Sequence, residues 1–400
     1  MPKITLQLLL VSLCLFTAFS YPLYGTERDT TLNYFEGSWE EALDRSSETG
    51  KPMMLSILAN WCYWCKAMKE TTFKDPEVLD ILNNEFVLFR ANAEEKKGEK
   101  ISAKFRATSL PVLIFIDSEG NLIDKNTGYI RDNLGFTKTL SSYLEFPEPL
   151  RAKIDVRNLD PGFPEFYLSS FDSDEDWSEE EFTVKAFQFL DQLDRSEWMD
   201  EVAWSVMFRF GIVMAEMGAY FLENYHQFKE NYGEAETFAH LNNLYNYYMF
   251  IHAQRDEEEE ALQLINLLSE FEPERKEELS LRYKVSFYMQ SRDWNKVLDQ
   301  LENHLSRSDE PQLNSINSVC LNIHDATSDR EILNRAAAVM GKLTEIEPAY
   351  QHLDTHASLL FRAGQTQKGI EVAEKAIEVG EKAGIDVTDT RYLLEIYGDH

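Results

Sequence analysis

Residues 58–73 read LANWCYWCKAMKETTF. Cys62 and Cys65 stand three apart, each directly after a tryptophan, Trp61 and Trp64. Such a pair serves as half of a zinc site, a structural disulfide or a redox couple, and its flanks help to decide which. On the N-terminal side, Met53 to Ala59 (MMLSILA) is an apolar run of strand length, which predicts a buried strand. On the other side, Cys62 to Met68 reads as a helix, and Pro76 starts a second segment through Asn83. A cysteine at the first turn of a helix meets unpaired backbone N–H groups and the positive end of the helix dipole. Both favour thiolate over thiol, so Cys62 is expected to be the nucleophile. Cys65, one turn later and deeper, is placed to attack a mixed disulfide formed at Cys62. Lys66 and Lys69 add positive charge nearby. A zinc site needs four ligands, and only one such pair is present. Met68 extends the spacing to a soft-ligand set suited to copper(I), with core packing as its competing reading. Redox chemistry is the favoured reading, with no metal and no cofactor; a passive fold is the alternative.

The surrounding sequence continues the strand–helix alternation. Trp39 to Ser47 reads as an amphipathic helix, broken by Gly50–Lys51–Pro52. Phe86 to Ala91 is a second strand, and Ile101 to Arg106 a short helix. VLIFID follows Leu110–Pro111 as a third strand; Leu122 to Thr127 pairs with it through the Asp117–Asn121 turn, where Gly120 supplies a positive φ. Thr137 to Leu144 closes with a helix. This order, with the cysteine tetrad, Asn83…Phe86–Val87, Leu110–Pro111 and Gly128–Tyr129, resembles the thioredoxin superfamily over about residues 30–146. It looks most like the exported branch that carries WCxxCK. The resemblance implies an α/β thioredoxin-like domain in which Cys62 and Cys65 form a redox-active disulfide. It makes Pro111 a cis-proline facing that disulfide, and the backbone of Leu110 the edge that pairs with an extended substrate. Trp61, Tyr63, Trp64, Leu110 and Pro111 then form the substrate-binding surface. One position departs from the pattern. Ser56 stands where many thioredoxins carry a buried aspartate, while Arg90 keeps the basic position on the next strand. Tyr63–Trp64 between the cysteines supplies no charged donor to set the redox direction.

Residues 1–20 (MPKITLQLLLVSLCLFTAFS) have the lysine, apolar run and small residues Ala18 and Ser20 of a signal peptide. The run is short for a spanning helix. The mature chain is therefore expected to be exported, periplasmic or extracellular, without stable membrane insertion. Acidic residues outnumber basic ones 70 to 39, for a net charge of −31, which argues against nucleic acid as a partner. Residues 26–149 carry net −6 and residues 150–400 net −26, so a boundary falls between them. The size allows two domains, each with its own core.

The expected domains are a thioredoxin-like unit over 21–148, an acidic, proline-rich linker over 149–181, and an all-α region over 182–400. Aromatics in the linker suggest that part of it packs on a neighbour. In the last region, turn residues fall near Asp256, Asp293, Asp329 and Gly364, at spacings of 37, 36 and 35; Pro273, Pro311 and Pro348 follow the same beat. This period predicts a helical repeat similar to tetratricopeptide repeats, exposing a face for proteins. His352 and His356, one turn apart, read as surface histidines, and Cys320 as a buried free thiol. The combined expectation is an exported thiol–disulfide oxidoreductase. Its partners are client proteins with thiols or disulfides, recruited by the helical repeat, and a further redox partner. The alternative is a non-catalytic adaptor in which the repeat is the working part.

Overall fold

The computed structural model describes residues 31–145, 154–172, 178–308 and 311–398; the expected signal peptide lies outside the described residues. Helix α1 (Trp39–Thr49) opens with a capping box: Ser38 Oγ accepts the Glu41 N–H, and Glu41 Oε2 accepts the Ser38 N–H. Strand β1 (Met53–Leu58) leads to α2 (Tyr63–Glu70), a 3₁₀ turn (Thr72–Lys74) and α3 (Pro76–Glu85). Asp75 caps α3 with its side chain, and Pro76 takes the first helical position, where no N–H is needed. Then come β2 (Val87–Asn92), α4 (Lys96–Lys104), β3 (Val112–Ile116), β4 (Leu122–Thr127) and α5 (Asn133–Glu145).

The helix expected over Ile101–Arg106 is displaced. It starts at Lys96, where the polar KKGEK stretch hides its apolar period, and ends before Arg106, which turns to a left-handed φ of 51°. Gly98 lets α4 press on the end of β2: a Cβ there would lie 1.8 Å from the Asn92 carbonyl oxygen.

The sheet order is β2-β1-β3-β4, with β1 parallel to β2 and antiparallel to β3, and β3 antiparallel to β4. The β3–β4 turn is as expected. Asp117 Oδ1 accepts the N–H groups of Glu119 and Asn121, and Gly120 has φ 89°. A single parallel bridge, Tyr34 to Leu88, extends the sheet beyond β2. One face (Met54, Leu88, Leu113, Phe115) packs on Val78 and Leu82 of α3 and Phe136 and Leu140 of α5. The other (Leu55, Phe89, Ile114) packs on α1 and α4.

That second core does not stop at the α/β unit. It runs without a break into the helical region, while the first core belongs to the α/β unit alone. The linker residues 154–172 form the junction. Ile154, Val156, Phe163 and Tyr167 are buried. The Trp39 Nε1–H donates to the Val156 carbonyl at 2.8 Å, and the Tyr167 hydroxyl to the Ala103 carbonyl at 2.6 Å.

The helical region begins with an aromatic cluster in which Trp204 meets Phe221, Phe228 and Tyr232. Paired helices follow: Glu234–Arg255 with Glu258–Asn266, Lys276–Gln290 with Trp294–Arg307, Leu313–Ala326 with Arg330–Ile346, and Tyr350–Ala363 with Thr366–Lys382. Asp256, Asp293, Asp329 and Gly364 lie at the turns within these pairs, and Pro273, Pro311 and Pro348 between them. Cys320 is buried, and burial pushes its thiol up to about 12. His352 is not on the surface. Its ring is buried, with Nε2 on Asn314 Oδ1 and Nδ1 on the Glu347 carbonyl. Among the described residues no helix is long and apolar enough to cross a membrane.

Candidate active site

The two cysteines lie where β1 gives way to α2, at one end of the sheet. Cys62 is the N-cap residue of α2, with extended backbone (φ −70°, ψ 108°), and its Sγ accepts the Cys65 N–H at 3.0 Å. The sulfurs are bonded to each other, with the Cα atoms 5.3 Å apart. The cap follows from covalent geometry. A cysteine three residues before its partner, at the end of a strand, can turn its sulfur back over the free N–H groups of the first turn. Cys65 is not the deeper of the two: the residues are 3% and 6% exposed. The disulfide packs on Ala59, Leu58, Ala93 and Leu110.

Leu110–Pro111 is a cis peptide bond. Leu110 packs against the disulfide cluster from the loop before β3, and the Pro111 carbonyl accepts the Gly128 N–H at 2.8 Å. Met68 is buried in the core with Phe73, Val78 and Phe115. No group of three potential metal-binding residues occurs among the described residues.

The aromatic residues around the pair point outward. Trp61 is 69% exposed, Tyr63 71% and Trp64 44%. Trp64 is held in place: its ring stacks on Tyr129 at 5.4 Å and 21°, and Arg131 lies 5.8 Å from its centroid. The Tyr129 hydroxyl shares a 2.9 Å hydrogen bond with Thr71 Oγ1 at the end of α2. Tyr63 meets Trp64 edge-on at 5.0 Å. The rings form a fixed apolar shelf beside the disulfide. Tyr129 belonged to the sequence pattern through Gly128–Tyr129, but nothing in the sequence signalled its stacking on Trp64.

Ser56 is buried directly across from Arg90 in the sheet register. The Tyr34 hydroxyl donates to Ser56 Oγ at 3.4 Å, and the exposed Arg90 places its guanidinium 5.3 Å from the Tyr34 ring. A neutral Ser–Tyr contact therefore occupies the region where a buried aspartate is common in thioredoxins. A carboxylate does lie near the pair, on another segment. Glu94 Oε2 accepts the Asn60 N–H at 2.5 Å, two residues before Cys62, and its neighbour Ala93 touches the disulfide cluster. The stretch ANAEEK carries no pattern that would have marked it.

The family model described as a thioredoxin-like domain matches residues 39–143. A thiol:disulfide interchange protein DsbD from Yersinia pestis is 37% identical over 75 residues, 18% of this chain and 13% of that protein. DsbD of Escherichia coli K12 is 30% identical over 101 residues, 24% of this chain and 18% of that protein. The chain thus spans under a fifth of the length of these curated relatives. Among solved structures, a DsbH oxidoreductase aligns at 22% identity and TM-score 0.26 over 31% of this chain and 93% of that one. Residues 39–143 are a thioredoxin-like domain with a Cys62–Cys65 disulfide, followed in the same chain by a helical region.

Proposed function

We propose that this protein is an exported thiol–disulfide oxidoreductase acting on protein cysteines through Cys62 and Cys65. The observation that carries the reading is the disulfide at the N-terminus of α2, packed against Leu110 of the cis-proline loop. In the reducing direction, the Cys62 thiolate attacks one sulfur of a client disulfide. The client S–S bond breaks, and the leaving sulfur departs as thiolate and takes a proton from solvent. Cys65, once deprotonated, attacks Cys62 Sγ. The mixed disulfide breaks, the second client sulfur leaves, and the Cys62–Cys65 bond re-forms. Two electrons pass from the cysteine pair to the client. The same steps run backwards to oxidise a client, and the relative potentials decide the direction. The α2 N–H groups and dipole support the thiolate form of Cys62.

The client backbone lies along Leu110–Pro111, and its side chains rest on Trp61, Tyr63 and Trp64. Clients and the electron partner are proteins met outside the cytoplasm; the signal-like residues 1–20 and the DsbD likeness support that placement. The paired helices act as a tetratricopeptide-like repeat that recruits clients. A groove of about 280 Å³ between helices 276–290 and 313–326, lined by Leu281, Val285, Met289, Ile316 and Val319, supports this role. Recruitment makes the redox encounter intramolecular and raises its effective concentration.

The test is a Cys65→Ser variant of the whole chain, which lacks the resolving thiol. It should accumulate client mixed disulfides mapped by mass spectrometry to Cys62, and Val319→Asp in the groove should lower their yield. Absence of any Cys62 adduct would leave the helical region as the working part and the protein as an adaptor.

A further inference from the structure

The loop that carries Leu110 and Pro111 is staked down from outside the thioredoxin-like unit. Four residues before Leu110, Arg106 takes a left-handed φ of 51°, a conformation uncommon for a residue with a side chain. Its neighbours hold that turn. The buried Arg106 Nε–H donates to both Glu236 oxygens at 2.9 and 3.2 Å, and Nη1 donates to Ser205 Oγ at 3.4 Å. Tyr232 lies beneath the guanidinium at 5.4 Å. Glu236, Ser205 and Tyr232 all belong to the helical region. From the sheet, Lys125 of β4 donates through Nζ to the Arg106 carbonyl at 2.9 Å and to Glu236 Oε1 at 2.6 Å. The Trp204 Nε1–H donates to Glu236 Oε2 at 3.1 Å. One step back, Lys104 Nζ at the end of α4 is 2.7 Å from Glu201 Oε1.

A single buried carboxylate therefore receives an arginine, a lysine and an indole. Burial alone would raise the Glu236 carboxyl, but Arg106 and Lys125 outweigh it and hold it below the usual range. Buried ion pairs are weak sources of stability, because desolvation offsets their attraction; fixing one geometry is their better-attested use. Here the fixed geometry is passed along the chain. The Ala107 N–H donates to the Ser102 carbonyl at 2.8 Å, and the Thr108 N–H to the Arg106 carbonyl at 2.9 Å. Beyond Thr108 come Ser109 and the edge that meets the disulfide.

We propose that Glu236 is a positioning residue for the redox site: the helical region clamps the 105–111 loop and so sets the edge offered to an extended client. The inference rests on the exchange reaction proposed above. It gives the second region a role within the redox site, separate from recruitment along the groove.

The test uses the full chain with Glu236→Gln, which keeps size and one acceptor oxygen but removes the charge. Two substrates are compared, hydroxyethyl disulfide and a ten-residue peptide bearing one mixed disulfide. Loosening the edge is expected to raise KM for the peptide about tenfold with kcat nearly kept, while the small disulfide changes less than twofold. Glu201→Gln, at a position whose side chain is 19% exposed, loosens Lys104 and is expected to raise peptide KM about threefold. It provides the readout should the Glu236 variant not fold. Unchanged peptide KM in a folded variant would overturn the clamp while leaving the exchange reaction standing. A wild-type chain inert to both substrates would overturn the exchange reaction and the clamp with it.

Discussion

Acid should loosen the protein through one buried histidine. His240 has no accessible surface; its ring lies 5.2 Å from Trp204 and 4.7 Å from Phe221, and its nitrogens meet only a weak interaction with the Ile212 backbone. Burial, against a weaker opposing pull from the Ile212 backbone, pushes its imidazole from 6.5 down to about 3. In the unfolded chain the same ring takes up a proton near pH 6.5. Between those values only the unfolded state is protonated, so stability falls as pH drops through that window. The contribution of this ring is absent above it. The slope approaches about 1.4 kcal/mol per pH unit, which gives a loss of roughly 3 kcal/mol by pH 4. Glu236, whose carboxyl is held low by Arg106 and Lys125, loses its native advantage in the same direction as pH falls further. The histidine share is isolated by His240→Leu, which fills a similar volume and does not titrate. Urea unfolding of both proteins at pH 7 and pH 4.5 measures it. The wild type should lose about 2–3 kcal/mol more than the variant over that interval. The variant should be about as stable at pH 7, because the polar ring that is removed is only weakly partnered. Equal losses in the two proteins would refute the reasoning.

Gly98→Ala forces a methyl onto the Asn92 carbonyl and should cost about 1–3 kcal/mol in urea unfolding, a large effect for a single methyl. In the reduced protein at neutral pH, mass mapping after brief alkylation should find Cys62 modified first. Cys320, buried and with its thiol pushed up to about 12, should label only on unfolding. Trp64→Ala removes the ring stacked on Tyr129 and under Arg131 and should raise KM about fivefold for a peptide with an aromatic residue beside its cysteine, measured against a glycine-flanked peptide as control.

The thioredoxin-like unit was legible because its signals are local. Apolar runs of strand length, the Asp117–Asn121 turn and the cysteine spacing each act within a few residues, and β1, β3 and β4 lie where those runs stand. The helix pairs were legible for the same reason, through turn residues and prolines that recur on one beat. Legibility failed where a feature depends on what arrives from far along the chain. Gly98 is a close approach to Asn92, and no periodicity announces it. At the left-handed turn, the Arg106 side chain meets Glu236, 130 residues away. His352 reads as a surface residue until Asn314, 38 positions earlier in the chain, is brought to its ring. The shared core escaped notice because charge composition marks a boundary in surface character, whereas Trp39 and Val156 meet beneath that surface. At the redox site the cysteines and Leu110–Pro111 were readable as motifs. Glu94 was not, since its link to the pair is one hydrogen bond to Asn60.

The most direct measurement of the central claim is a redox titration of the full chain against a dithiol–disulfide buffer, with acid quench and mass-resolved alkylation of Cys62 and Cys65. Reversible exchange at this pair predicts one two-electron transition in which both cysteines change together. The reduced-to-oxidised ratio should shift tenfold for every 30 mV or so, and the two titration directions should give the same midpoint. A pair that stays oxidised throughout the buffer range, or singly labelled species with no common midpoint, would contradict it.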